Sequence, residues 1–342
     1  MKLVEVSKEF IFEEDRPFDS AHASTLLELR GGGVLAAWFG GSWEKGADVA
    51  IWTGRRGKQG WERPVCAVKA RAAAMWNPVL FRRLDGTILL FYKVGESIST
   101  WKTWVITSED EGESWSAPRE LVPGDCSGGR GPVRNKPIRL QDGTVLAPAS
   151  LEGETWDAFV DISRDEGDTW EASGLVPLRR AGYNIQMVHY PYEKHRCFGK
   201  GVIQPTLWQD KAGEVHMLLR STSSRIFRSD SGDGGQTWSL AYDTGLPNNN
   251  SGIDLTALPG GELVLVHNPT ENLPGYHKGP RTPLVASLSE DNGESWRELA
   301  VLEDGIGGYS YPAVICGSGN EIWITYTWKR ERIVFARIQY EP

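Results

Sequence analysis

The sequence predicts an all-β protein folded as a single six-bladed β-propeller. Six glycine-centred turns each precede an apolar strand, and four copies of an S-x-D-x-G-x-[ST]-W segment recur along the chain. The 342 residues include 39 Gly, 19 Pro and 15 Trp, a composition that suits many short strands joined by tight turns. Closed all-β architectures commonly run long as one domain, so residues 1–342 are predicted to form one domain.

The first repeat is a tight turn followed by an apolar strand. Glycine supplies the positive φ that a hairpin turn requires, and the strand after it returns beside the strand before it. The six copies lie at residues 30–35, 84–89, 141–146, 211–215, 259–263 and 317–322. A spacing of roughly 55 to 60 residues is that of a four-stranded blade with its loops, so six blades are predicted.

The second repeat is a hairpin whose Asp and Ser/Thr side chains are expected to bond to turn amides while its Trp packs beneath. The sixth blade has no copy and ends at the C-terminus, so residues 3–12 are predicted to supply the strand that completes it. The four clear copies are Ser108 to Trp115, Ser163 to Trp170, Ser231 to Trp238 and Ser289 to Trp296, and a degraded copy runs from Thr53 to Trp61.

Charge and hydropathy exclude several classes of protein. The net charge of -8 and the lack of a long basic stretch argue against a nucleic-acid partner. No apolar stretch approaches the roughly 20 residues that span a bilayer, so no membrane partner is expected. The N-terminus lacks the apolar core of a signal peptide and the four cysteines form no C-x-x-C pair, which favours a cytoplasmic location with reduced thiols.

The histidines other than His22 show no spacing typical of metal ligands, so neither a catalytic metal nor another cofactor is predicted. The five histidines other than His22 are His189, His195, His216, His267 and His277. The sequence makes no prediction of the oligomeric state.

Polar residues begin the strand before each glycine turn, which is the innermost strand of its blade. Innermost strands converge on the propeller axis, so these residues are predicted to surround one mouth. Alternatively, they satisfy backbone groups near the axis. The segments are Ser20-Ala21-His22, Trp76-Asn77, Arg134-Asn135-Lys136, Gln204, Asn250 with Ser251 and Asp254, and Tyr309-Ser310-Tyr311.

Charged residues follow the hairpins and place cationic side chains and carboxylates at the same mouth. Such a site suits binding of an anionic sugar and proton transfer to its glycosidic oxygen. Rim salt bridges remain the alternative for Arg220 and Arg281, and simple solvent exposure for Glu44 and Asp48. The predicted substrate-binding set is Arg220, Arg281, Arg134, Lys136, Asn77, Lys93, Gln204, Glu152, Asp254, Tyr311 and Trp76, and the predicted catalytic set is Asp48, Tyr309, His22 and Glu44.

The S-x-D-x-G-x-[ST]-W segments resemble the Asp box, or BNR repeat, of sialidases, and the resemblance extends over essentially the whole chain. It implies a sialidase-like propeller that binds a substrate carboxylate with arginines. By this resemblance Asp48 corresponds to the acid/base, Arg220 and Arg281 to the second and third arginines, and Tyr309 in Gly308-Tyr309-Ser310 to the nucleophile.

Two positions depart from that pattern. His22 stands where the family's first arginine is expected, and Gln204 stands where a glutamate would activate the tyrosine. A neutral amide cannot accept the phenolic proton, and a tyrosine with an ordinary pKa near 10 is then a poor nucleophile.

Three functions follow from these residues. The leading hypothesis is an exo-acting, sialidase-like glycoside hydrolase that removes a terminal acidic sugar from an oligosaccharide. The second is a lyase or a rhamnosidase-type enzyme that acts on uronate-containing glycans with His22 and a tyrosine. The third is a non-catalytic glycan-binding propeller with aromatic platforms around its mouth, formed by Trp38, Trp43, Trp76, Trp104 and Trp156.

Overall fold

The structure is a computed structural model that describes residues 1–70, 73–181 and 194–341. Within these ranges all regular secondary structure is β-strand, arranged as six antiparallel blades. The predicted six-bladed propeller is therefore confirmed. In the described part of the chain, no helix has the length and apolar character needed to cross a membrane. His189, one of the histidines named above, lies outside the described residues.

The first three blades follow one another along the chain, each with its innermost strand first. Blade 1 contains β2 (Ser20–Glu28), β3 (Val34–Gly41), β4 (Ala50–Gly57), β5 (Gly60–Trp61) and β6 (Val65–Val68). Blade 2 contains β7 (Met75–Arg82), β8 (Ile88–Val94), β9 (Lys102–Ser108) and β10 (Arg119–Glu120). Blade 3 contains β11 (Ile138–Arg139), β12 (Val145–Glu152), β13 (Trp156–Ser163) and β14 (Glu171–Ala172).

The last three blades repeat this order after a short parallel pair formed by β15 (Arg179–Ala181) and β16 (Arg196–Phe198). Blade 4 contains β17 (Val202–Gln209), β18 (Val215–Ser221), β19 (Arg225–Ser231) and β20 (Tyr242–Pro247). Blade 5 contains β21 (Asp254–Ala257), β22 (Leu263–His267), β23 (Leu284–Ser289) and β24 (Arg297–Glu303). Blade 6 contains β25 (Tyr309–Gly317), β26 (Glu321–Trp328), β27 (Arg332–Glu341) and β1 (Lys2–Phe10).

The two ends of the chain share blade 6. β1 pairs antiparallel with β27, in a register that runs from Lys2 opposite Glu341 to Phe10 opposite Val334. The N–H of Ile11 continues the pairing by donating to the carbonyl of Ile333. An outermost strand from the N-terminus therefore joins the last blade to the first.

Apolar layers between neighbouring blades form the core. One layer joins blades 2 and 3 through Val79, Phe91, Val145 and Trp170, all at most 8% exposed. Comparable layers join blades 1 and 2 and blades 4 and 5. Each blade thus buries both faces of its sheet, which fixes the position of its innermost strand at the axis.

The antiparallel order gives the propeller two different ends. The glycine turns connect the first and second strands of a blade, and the Asp-box segments connect the third and fourth, so both lie at one end. The starts of the innermost strands and the loops after the second strands lie at the opposite end. Candidate chemistry and scaffold turns are therefore separated along the axis.

The Asp-box segments form the same hydrogen-bonded turn four times. In the first copy, the Ser108 hydroxyl donates to Asp110 at 2.8 Å, and the N–H groups of Gly112 and Ser114 donate to Ser108 Oγ at 2.8 Å and Asp110 Oδ1 at 2.9 Å. Equivalent contacts recur in the other three copies. The repeat is therefore a scaffold element.

We expect these turns to make the fold sensitive to acid. Donation from the Thr237 hydroxyl and N–H lowers the pKa of Asp233 to about 2, and equivalent donors lower the pKa of Asp110 to about 2. Both values lie below the roughly 3.9 of an unfolded aspartate. The stabilisation is therefore complete above about pH 4 and is lost as the pH falls toward 2.

Urea unfolding of wild type, Asp233→Asn and the turn variant Asp142→Asn at pH 7, 4, 3 and 2 tests this expectation. Asp233→Asn should be less stable at pH 7 and should lose less stability than wild type between pH 4 and 2. An Asp233→Asn profile parallel to that of wild type would contradict it. Asp142→Asn, in a glycine turn at the same end, should follow wild type.

Candidate active site

The innermost strands enter the mouth through an irregular backbone. A non-glycine residue at the start of five of them has a positive φ, and β2, β7, β17 and β25 each carry a register shift there. Bulges of this kind re-aim side chains, and positive φ in non-glycine residues often marks functional sites. The five residues are Ala23 (54°), Asn77 (41°), Gln204 (52°), Asn250 (57°) and Tyr311 (55°).

Tyr311 lies at the centre of the mouth, surrounded by guanidinium groups. The central carbons of Arg134, Arg281 and Arg220 lie 5.3, 5.5 and 5.8 Å from the centroid of its ring. Arg220 also donates from NH1 to the Tyr311 hydroxyl oxygen at 2.9 Å. Cations over a ring face and a charged donor on the oxygen both favour negative charge on the phenol.

The arginines change the acidity of Tyr311. Burial alone would raise its pKa, but the charges of Arg220 and Arg281 outweigh burial and hold the pKa below its ordinary value. The hydroxyl oxygen accepts a hydrogen bond from Arg220. No acceptor for the phenolic hydrogen lies within hydrogen-bonding distance in the described parts of the chain. The surroundings of Tyr311 therefore favour its ionisation more than water does.

A chain of polar contacts holds Arg220. Its Nε donates to Asn250 Oδ1 at 2.9 Å and its NH1 donates to Gln204 Oε1 at 3.0 Å. Gln204 in turn donates from Nε2 to Glu152 Oε1 at 3.1 Å. Burial raises the pKa of Glu152 even though Arg220 and Gln204 oppose the shift. A carboxyl group is thus present, but it lies behind the amide and not on the tyrosine.

His22 lies against the Tyr311 ring, with ring centroids 4.2 Å apart. Burial, together with Arg330 and Arg281, lowers its pKa well below the ordinary value, so it is neutral. Thr327 Oγ1 accepts from the Ala23 N–H at 3.1 Å and lies 2.8 Å from His22 Nδ1. The Thr327 hydroxyl has a hydrogen to donate, and its acceptor is then His22 Nδ1. A ring nitrogen that accepts has no hydrogen of its own, so in this arrangement Nε2 carries the ring hydrogen.

The loop after β3 contributes Glu44 and Asp48. Asp48 is exposed and accepts from the N–H and the hydroxyl of Ser42 at 2.7 and 2.8 Å, contacts that lower its pKa. Glu44 pairs with Arg330 at 2.7 Å. Arg330 is the residue that the sequence reasoning missed. The position of Arg330 was the available signal, because charged residues lie at or just after the end of the second strand in several blades. These residues are Lys93, Glu152, Arg220 and Arg330.

Two predicted site residues lie outside this cluster. The Tyr309 side chain packs in the apolar layer with Trp328 and is 3% exposed, and its hydroxyl faces the Ile306 carbonyl at 3.4 Å. The Trp76 ring is 2% exposed, packs against Phe39 and Trp101, and donates to the Gly95 carbonyl. The structure therefore places Tyr311, and not Tyr309, among the arginines, and it places the Trp76 ring in the core.

Three more predicted residues support the axis. Lys136 binds Asp254 at 2.9 Å, and Asp254 also accepts from the Thr206 hydroxyl and the Val314 N–H, both at 2.8 Å. These contacts tie blades 4, 5 and 6 to the segment that leads into blade 3. Asn77 donates to the Val133 carbonyl at 2.9 Å.

Lys93 is fully buried and donates to Thr103 and to the Arg130 carbonyl. Burial lowers its pKa to about 7, although Asp161 and Glu152 oppose the shift. Arg134 donates at 2.7 Å to the carbonyl of Pro312, the residue that follows Tyr311.

The aromatic residues expected of a glycan-binding surface separate into two groups. Trp38 is fully buried in the core, whereas Trp43 is 64% exposed in the loop that carries Asp48. Trp156 is half-buried and lies 5.4 Å from the Arg220 guanidinium. An aromatic surface at the mouth is thus limited to a few side chains.

A histidine-carboxylate group lies at the turn end of blade 4, where possible ligand atoms of Asp210, Glu214 and His216 approach within 4.8 Å of one another. Trp208 donates to Asn292 Oδ1 at 2.7 Å, which directs the Asn292 amide nitrogen toward Asp210 Oδ2 at 3.2 Å and His216 Nε2 at 3.4 Å. A hydrogen-bond donor aimed at the shared position does not suit a cation. We therefore interpret this group as part of the scaffold.

A groove of about 580 Å³ lies at the outer edge of the propeller, between the segment after β1 and the loop after β5. Its walls include Phe12, Arg16, Trp61 and Arg63. The groove is lined by residues other than those around Tyr311, so it is separate from the candidate active site.

Six blades, four Asp-box turns and a tyrosine among arginines at one end define a sialidase-like β-propeller. The family model described as the BNR repeat-like domain matches residues 32–324. The chain belongs to this family, which confirms the resemblance drawn from its Asp-box segments.

Solved structures show the same fold. A crystal structure of a protein of unknown function from Dyadobacter fermentans matches with a TM-score of 0.74 at 15% identity, over 98% of this chain and 99% of that one. The Trypanosoma rangeli sialidase with 2,3-difluorosialic acid as a covalent intermediate matches at 0.73 and 13%, over 98% of this chain and 59% of its own length. The intramolecular trans-sialidase from Ruminococcus gnavus matches at 0.69 and 14%, over 97% and 98%.

Proposed function

We propose that this protein is a glycoside hydrolase that removes a terminal acidic sugar of the sialic acid type from an oligosaccharide. The observation that carries this proposal is the position of Tyr311 among Arg134, Arg220 and Arg281, with Arg220 on its oxygen. The site concentrates positive charge in a protein whose net charge is -8. Its ligand is therefore expected to carry an anionic group.

Arg220 and Arg281 are proposed to bind the sugar carboxylate. Charge-assisted hydrogen bonds from guanidinium groups to a carboxylate are short and directional. His22 stands in place of the first arginine of the family pattern and is proposed to act as a neutral donor, since its Nε2 is buried and has no partner within the described residues. With Thr327 donating to Nδ1, Nε2 carries the ring hydrogen, and on this assignment we propose His22 for binding and not for the abstraction of a proton from a uronate.

The proposed reaction proceeds through a covalent intermediate. The Tyr311 phenolate attacks the anomeric carbon, the glycosidic C–O bond breaks, and the leaving oxygen takes a proton from the protonated form of Asp48. That form is the minor one in the free protein, because the Ser42 contacts lower the pKa of Asp48. A water molecule then gives a proton to Asp48 while its oxygen attacks the anomeric carbon, and Tyr311 leaves as a phenolate. Two displacements at one carbon give retention of configuration.

Asp48→Asn tests the acid role. General acid catalysis is typically worth about 10²- to 10⁴-fold, so kcat on an oligosaccharide with an alkyl leaving group should fall within that range. The loss should be much smaller on a sialoside with an activated aryl leaving group, because that oxygen needs little protonation. Asp168→Asn, at the scaffold end, is the control. Equal losses on both substrates would exclude Asp48 as the acid.

Activity assays test the function itself. The purified protein is incubated with a fluorogenic α-sialoside and, in parallel, with a panel of uronate-containing oligosaccharides. Aglycone release and ultraviolet absorbance are read together. Release from the sialoside is the expected result. An ultraviolet-absorbing unsaturated product from a uronate would identify a lyase, and binding without turnover of any substrate would identify a glycan-binding protein.

A further inference from the structure

The hydrogen bonds around Tyr311 bear on how this tyrosine is activated. Gln204 occupies the place where the family pattern expects a glutamate, so no carboxylate at that position can take the phenolic proton. Within the described residues, the hydrogen-bond partner of the Tyr311 oxygen is a cation, Arg220, at 2.9 Å. A general base and a fixed cation are two different ways to obtain a phenolate.

We propose that Tyr311 is activated by the surrounding guanidinium groups, and that Gln204 is the positioning residue that holds Arg220 on the phenolic oxygen. The proposal rests on the proposed function for its catalytic meaning, but the ionisation it describes is a property of the protein without substrate. The phenolic proton goes to solvent and not to a protein carboxylate, and the surrounding guanidinium groups stabilise the phenolate that attacks.

Gln204 suits this role because its two amide atoms face different partners. Its Oε1 accepts from Arg220 NH1 at 3.0 Å, and its Nε2 donates to Glu152 Oε1 at 3.1 Å. The same Arg220 nitrogen reaches Tyr311. A neutral amide therefore holds the guanidinium without neutralising it, and it also keeps the Glu152 carboxyl away from the phenol.

A carboxylate at position 204 would act differently. It would compete with Tyr311 for the charge of Arg220 and would lie within hydrogen-bonding distance of Glu152. Two buried carboxyl groups at that distance repel when both are ionised. The Gln204 amide is thus matched to a cation-stabilised phenolate.

The charges around Tyr311 come from several elements of the propeller. Positive charge comes from Arg134 before β11, Arg220 in β18, Arg281 before β23 and Arg330 after β26. Glu152 at the end of β12 opposes them, and neutral His22 in β2 contributes no charge. Among these charges, four guanidinium groups face Tyr311 and Glu152 opposes them.

Ultraviolet difference titration of tyrosinate in the substrate-free protein tests the proposal. Subtracting the Tyr311→Phe titration from that of wild type isolates one group, and its midpoint is expected below that of an ordinary tyrosine. In Gln204→Glu the midpoint should rise by about one pH unit, and kcat should fall about 10-fold. Gln209→Glu, the same change elsewhere on β17, should leave both unchanged.

The result that would overturn the proposal is a Gln204→Glu protein that is more active than wild type, because a carboxylate base would then be the better activator. A Tyr311 titration at or above the ordinary pKa in wild type would overturn it as well. A low titration midpoint in a protein that cleaves no acidic glycoside would support the activated tyrosine and reject the proposed substrate. Thermal unfolding of each variant checks that the propeller is intact.

Discussion

Tyr311→Phe is expected to lower kcat on an acidic glycoside by about 10³-fold or more, while Tyr309→Phe keeps activity close to that of wild type. Removal of a covalent nucleophile commonly costs several orders of magnitude. The phenylalanine ring keeps the contacts with His22 and the guanidinium groups, so only the oxygen is lost. Tyr309 lies in the apolar layer, where its hydroxyl makes one long contact.

A fluorinated sialic acid trap gives a second measurement of the same assignment. Mass spectrometry after incubation with 2,3-difluorosialic acid should find the sugar on a peptide that contains Tyr311 in wild type and no label in Tyr311→Phe. The pair of tyrosine variants is closely matched, because the two residues lie in one strand and two positions apart. Label on Tyr309, or loss of activity only in Tyr309→Phe, would reverse the assignment.

Arg281→Lys is expected to raise KM for a carboxylate-bearing substrate about 100-fold and to change kcat less. Arg281 is half-buried and donates to Ser310 at 3.1 Å, which fixes its planar group against the mouth. A lysine keeps the charge but loses the forked geometry that matches a carboxylate. Breaking a buried, charge-assisted contact of this kind costs about 2–5 kcal/mol.

Arg281 is a better probe of carboxylate binding than Arg220, because Arg220 also contacts Tyr311. The substrate methyl ester provides the matched test. Wild type should prefer the acid over the ester strongly, and Arg281→Lys should lose most of that preference. Arg225→Lys, in the same propeller but in β19, is the control. An unchanged preference in Arg281→Lys would place the carboxylate elsewhere.

The number and order of blades could be predicted from the sequence because every blade has a glycine turn and four blades also have a clear Asp-box turn. A glycine turn and an Asp-box turn depend on residues within a few positions of each other, such as Ser108, Asp110 and Gly112. The end of the propeller that holds the site could be predicted for the same reason, since it follows from strand order alone.

The choice between Tyr309 and Tyr311 could not be made from strand alternation. The two residues are separated by two positions and would share a face of a regular strand. The register shift after Ser310 and the positive φ of Tyr311 break that regularity. A signal was present in the sequence, because Asn77, Gln204 and Tyr311 each precede a proline at the start of an innermost strand.

The electrostatic state of the site could not be predicted from composition. Arg330 follows β26 and Glu44 follows β3, and only the ring brings them together. The lowered pKa of His22 likewise depends on charges from several blades and on burial at the axis. Such effects arise from distances between segments far apart in sequence.

The separation of the two ends of the propeller has a consequence for divergence and for engineering. Substitutions and insertions in the loops after the second strands alter the mouth without touching the Asp-box turns that hold each blade together. A lineage can therefore change the ligand that the mouth accepts by changing a few loop residues while the ring stays intact. The same division recommends these loops, and not the turn end, for a library that seeks new specificity.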